Sequence, residues 1–150
     1  MPKFVSFLKK TIFYFPVIFI GTYLQVYWAM GYLSDSLSSS CLDCSFALET
    51  LYLSLFTAVL LVFIFILISR IKNLYLKLGL EFLLLSSWWL FIDYSDFVER
   101  ESSWSTYLFE EEIRETLNHS FFPILIMSVV VIFVLNYKSF LKSNDTRNKD

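Results

Sequence analysis

The chain has 150 residues, 57% of them hydrophobic and 20% aromatic, with three glycines, three prolines, two cysteines and a formal net charge of −2. A water-soluble domain of this size would leave much of that apolar surface in contact with solvent, so a soluble globular fold is excluded. Charge is clustered by sign, and no basic patch is joined to an aromatic platform, so direct binding to nucleic acid is not expected.

The first ten residues are basic through Lys3, Lys9 and Lys10 and lead into an uncharged run. A bilayer core takes roughly 20 residues of helix, so a first span is predicted over 11–33. Its apolar part exceeds the roughly 7–15 residues of a cleavable signal, and Tyr32, Leu33, Ser34 and Asp35 offer no small-x-small cleavage site, so the helix is expected to be retained. Pro16 is expected in its first two turns, where a kink is tolerated, and Gln25 near mid-depth is expected to seek a partner on another helix. After a polar loop with a serine cluster and three acids, residues 50–69 carry no charge and give the clearest span.

Arg70, Lys72 and Lys77 mark a tight basic turn into a third span over 74–92, which contains Glu81. Trp88 and Trp89, towards its far end, suit an interfacial aromatic belt. Asn118, His119 and Ser120 suggest a helix boundary, with Pro123 in the first turn of a fourth span over 121–137. A polar tail over 138–150 carries Lys138, Lys142, Arg147 and Lys149.

Between the third and fourth spans, residues 93–119 hold eight acids against Arg100 and Arg114 and predict an acidic loop outside the bilayer. Trp104, Leu108, Phe109, Ile113 and Leu117 recur at helical steps, with Glu110, Glu111, Glu112 and Glu115 on other faces. That pattern predicts a short amphipathic helix over the outer ends of the bundle; a solvated connector whose apolar residues dip into the interface is the alternative.

Ten of the twelve basic residues fall on one side of a four-span arrangement and eleven of the fourteen acids on the other. The positive-inside rule places the basic side, with both termini, in the cytoplasm of a bacterial inner membrane. The expected fold is an all-α membrane protein, a four-transmembrane-helix bundle in one polytopic domain. No small-x-x-x-small seam stands out, so packing is expected to rely on large aromatics with a few polar contacts.

Cys41-Leu42-Asp43-Cys44 is the one recognisable motif, a Cys-x-x-Cys pair in the first outer loop just before the second span. This placement resembles the bacterial DsbB family of quinone-linked disulfide oxidoreductases, and the resemblance implies a redox-active pair. The chain departs from that family's pattern in having no second cysteine pair over 93–119 and no basic residue shortly after Cys44. Asp43 and Glu49 beside the pair disfavour a thiolate by like-charge repulsion. A structural disulfide in an oxidising compartment, an active redox pair, and free thiols or a metal site remain open, although zinc would need ligands beyond two cysteines and His119 lies a loop away.

Glu81 inside a span is a functional candidate by default, balanced by Lys77 one turn away, with which it can pair and reach the headgroups. His119 beside Ser120 has no nucleophile or glycine-rich loop with it, so no catalytic site, cofactor or metal is expected. The function expected is that of a non-enzymatic interaction or sensor protein, either a membrane subunit of a phage-defence or exclusion system or an immunity protein against a membrane-active toxin. Its partners would be the lipid bilayer and a protein, a second copy of the chain, or both. Trp104, Glu110, Glu111, Glu112 and Glu115 would contact a partner outside, and Arg70, Lys72 and Lys77 one inside. The runner-up is a DsbB-like thiol-disulfide oxidoreductase using Cys41 and Cys44. A third reading is a small transporter or channel subunit using Gln25 and Glu81.

Overall fold

A computed structural model describes the backbone of residues 2–147 and the side chains of residue 5 and residues 7–137. Lys3, Lys138, Lys142, Arg147 and Lys149, counted above for orientation, have side chains outside the described residues. Four helices account for most of the chain: α1 (Pro2–Met30), α2 (Phe46–Ile68), α3 (Leu74–Arg100) and α4 (Phe109–Arg147). Short 3₁₀ turns follow α1 at Gly31–Leu33 and α3 at Ser102–Trp104, and the described residues contain no strand.

Each helix contains a segment long and apolar enough to cross a membrane: Phe7–Leu33, Phe46–Ile68, Leu74–Trp104 and Phe109–Tyr137. This is the architecture of a multi-pass membrane protein, because helices satisfy every backbone hydrogen bond within the segment that crosses. Large apolar side chains such as Ile20, Trp28, Phe56, Phe63, Leu83, Phe91 and Phe122 point outward, as lipid-facing residues do. Ile18, Met30, Phe65, Leu85, Trp89 and Ile92 fill the interior.

The helix ends follow from local chemistry. Ser45 caps α2 by accepting the Leu48 N–H at 3.4 Å, and Asn73 caps α3 by accepting from Tyr75 and Leu76. At the start of α4, Glu111 Oε2 accepts the Leu108 N–H at 3.0 Å while the Leu108 carbonyl takes the Glu111 and Glu112 N–H groups. Three glutamates in that first turn also complement the helix dipole.

Several boundaries differ from those expected. The acidic stretch does not form a separate loop helix: α3 continues to Arg100 and α4 starts at Phe109, so Glu110 to Glu115 lie on the opening turns of a helix of 39 residues. The connection shrinks because Asp93 and Arg100 turn inward to polar partners and need not leave the bundle. Pro123 therefore sits inside α4 and Pro16 in the middle of α1, and Asn118 to Ser120 mark no boundary. Trp88 and Trp89 are not an interfacial belt either. With α3 extended they fall at its middle, where Trp89 is fully buried and donates to Thr22 Oγ1 while Trp88 donates to Thr57 Oγ1, both at 3.0 Å.

Packing uses small residues more than the aromatic-rich sequence suggests. Thr50, Ser54 and Ala58 are buried at four-residue spacing on α2, a seam that lets helix backbones approach. Gly21 does the same for α1 against α4: a Cβ built there would stand 2.5 Å from Val131 Cγ2. The most extensive packing is of α1 with α2, α3 with α4 and α1 with α4, which makes α1 the shared wall of the bundle.

Candidate functional site

The two ends of the bundle carry opposite charge. Lys9, Lys10, Arg70, Lys72 and Lys77 gather at the end bearing the α2–α3 turn, where Lys10 Nζ donates to Ser69 Oγ at 2.9 Å. At the other end lie Asp35, Asp43, Glu49, Glu99, Glu101 and the glutamates opening α4.

At this acidic end the two connections are tied into one cap. Arg100 is buried, pairs with Glu49 at the start of α2, donates to the Ser36 carbonyl, and lies 5.1 Å above the Phe46 ring. Ser40 donates to Glu99 Oε2 at 2.8 Å, the Ser39 N–H reaches the Glu99 carbonyl at 2.9 Å, and the Trp104 indole donates to the Leu37 carbonyl at 2.9 Å. Glu112 is held by Tyr94 Oη at 2.9 Å and by Ser102 Oγ. At this end Trp104, against Leu37, and Leu108 and Phe109, at the opening of α4 before the exposed Glu110, each stay more than half exposed.

The proposed outer contacts thus divide by geometry. Glu110 projects freely, whereas Glu111 caps α4, Glu112 bridges α3 to the following turn, and Glu115 stands 3.6 Å from Arg114. At the basic end Arg70 and Lys72 are exposed, but Lys77 is buried, donating to Asn136 Oδ1 and lying 3.7 Å from Glu81. Glu81 does not reach the headgroups: it is fully buried and accepts from Asn136 Nδ2 at 2.6 Å. His119 stacks on Tyr32, ring centroids 4.4 Å apart, on the exposed side of α4.

Cys41 and Cys44 are joined in a disulfide, and their sulfurs lie with a Glu49 carboxylate oxygen within 4.8 Å of one another. Metal ligation takes thiolates, which the disulfide removes, and Glu49 is already engaged by Arg100, so the trio as it stands is not a metal site.

Deeper in the bundle is a polar layer that the span pattern did not reveal. Gln25 Nε2 donates to Asp93 Oδ2 at 2.7 Å, joining α1 to α3, and both side chains are fully buried. Ser120 on α4, also fully buried, stands beside the same carboxylate but outside hydrogen-bond geometry. The sequence signal for this layer is the four-residue stripe Lys77, Glu81, Leu85, Trp89 and Asp93, every member of which is buried in α3.

Comparison with known families, curated proteins and solved structures finds no match, so the functional reading rests on this chain's own geometry.

Proposed function

We propose that this chain is a non-enzymatic interaction or sensor protein of a bacterial cytoplasmic membrane, with both termini inside and the acidic cap outside. The observation that carries this reading is the cap itself, where cross-tied connections keep Trp104 exposed and the opening of α4 keeps Leu108, Phe109 and Glu110 exposed at the same acidic end. Apolar side chains rimmed by charge on a rigid support favour recognition of a partner. The settings that suit such a surface are a membrane subunit of a phage-defence or exclusion system and immunity against a membrane-active toxin. Arg70 and Lys72 at the basic end are available to a cytosolic partner.

The test is protection of cells challenged with a panel of phages and membrane-active protein toxins. Trp104→Ala combined with Glu110→Lys is expected to remove protection while the protein still accumulates in the membrane. Protection by that variant equal to the native chain, or by neither, would sink the reading. The orientation has its own check: a C-terminal reporter that functions only in the cytoplasm should be active, and an inactive reporter would invert the topology. Serine at both Cys41 and Cys44 separates this reading from a DsbB-like oxidoreductase, since it leaves protection standing in the first case and abolishes all activity in the second.

A further inference from the structure

Asp93 differs from the other acids turned into the bundle in what surrounds it. Glu81 has Lys77 at 3.7 Å, and Asp96 is flanked by Arg100. Among the described residues, no lysine or arginine acts on Asp93; the groups that do are Gln25, Ser120 and Asp96. It lies seven residues before Arg100 on α3, about 10 Å inside the acidic cap at 1.5 Å per residue.

The polar atoms around it are incompletely used. Among the described residues, Asp93 Oδ1, Gln25 Oε1 and Ser120 Oγ are all buried without a hydrogen-bond partner, although all three residues are fully buried. Thr116 Oγ1, one turn before Ser120 on the same face of α4, is in the same condition. Leaving one buried polar atom unsatisfied costs about 1–3 kcal/mol, and more for a charged group. Three helices converging such atoms on one carboxylate calls for a ligand that accepts lone pairs.

The donors are all oxygen, which selects a hard cation over a soft one. Asp93 is the carboxylate that Gln25 and Ser120 both address and can supply one negative charge there, whereas Asp96 lies a turn nearer the cap, among Glu99, Arg100 and Glu49. A single positive charge balances the Asp93 carboxylate, whereas a divalent ion would leave an excess on that group in a low-dielectric interior.

We propose that Gln25, Asp93 and Ser120, on α1, α3 and α4, form a binding site for one alkali cation, with Asp93 supplying the balancing charge. Such an ion would tie three helices together at one depth and stabilise the bundle in proportion to its occupancy. The site stands apart from the cap and does not depend on the interaction reading.

The experiment uses the full chain purified in mild detergent, with binding of radiolabelled sodium followed alongside the thermal unfolding midpoint in sodium, potassium, lithium and choline chlorides at fixed ionic strength. One saturable alkali ion per chain is expected, with a midpoint that rises with its concentration but not with choline. Asp93→Asn should abolish both effects. Ser120→Ala should keep the fold and raise the dissociation constant about tenfold, the consequence of one lost oxygen contact to a charge. The site is overturned by the absence of saturable binding, or by full binding in Asp93→Asn. A midpoint that answers only to pH, with that response lost in Asp93→Asn, would assign the charge to a proton and equally overturn an alkali-ion site. If Asp93→Asn does not fold, Ser120→Ala decides, since unchanged binding there excludes its hydroxyl and the site with it.

Discussion

Lys77→Met is expected to lower the stability of the bundle by about 3–5 kcal/mol, the range for removing one partner of a buried ion pair. The lysine is 8% exposed and Glu81 not at all, so the substitution leaves a carboxylate inside the bundle with only the Asn136 amide for support. The physical penalty lies in the remaining charge more than in the lost attraction. The double change Lys77→Met with Glu81→Gln should therefore recover most of the loss, because it removes the charge while a glutamine can still meet Asn136. Reversible unfolding in mixed detergent and denaturing micelles measures both. A single variant within about 0.5 kcal/mol of the native chain, the scale of an ordinary surface change, or a double variant no better than the single, would show that the pair is not the support described.

Gly21→Ala should be the second large effect, although it adds only one methyl group. The new Cβ would stand 2.5 Å from Val131 Cγ2, and valine has no flexible stem with which to withdraw. Helices α1 and α4 must separate, at a cost of about 1–3 kcal/mol for an overpacked contact. Trp89 Cζ2, at 3.9 Å, is at ordinary contact distance and is not the obstacle. Val131→Ala should then rescue Gly21→Ala, and the coupling in a double-mutant cycle should be at least about 0.5 kcal/mol. Additive effects would mean that the two helices adjust independently of this contact.

Residues 50–69 are legible as a helix because nothing in them is charged, and α2 covers that range to Ile68, beginning one turn earlier at Phe46. The third and fourth helices are legible only in their apolar parts. A rule that expels charge from a span places a boundary at Asp93 and another near His119, yet the helices pass through both positions. On α3 the rule fails because Asp93 meets Gln25 and Arg100 meets Glu49, partners 68 and 51 residues away in sequence. Within the candidate outer surface, the acidic run was visible in the sequence, but Glu112 resembles Glu110 in every local respect. Only the positions of Tyr94 and Ser102 make one structural and leave the other free.

The sequence by itself determined four apolar helices and the separation of basic from acidic residues between the chain's turns. Both follow from the bilayer, which requires a length of apolar helix with its backbone bonds satisfied locally, and that is a property of each segment taken alone. Only the tertiary structure decided which polar side chains face one another: Gln25 with Asp93, Lys77 and Glu81 with Asn136, Thr22 with Trp89. Those pairings depend on the rotation and depth of each helix against its neighbours. Rotation and depth are set by the fit of small residues such as Gly21 against Val131, contacts between positions more than a hundred residues apart that no local pattern encodes.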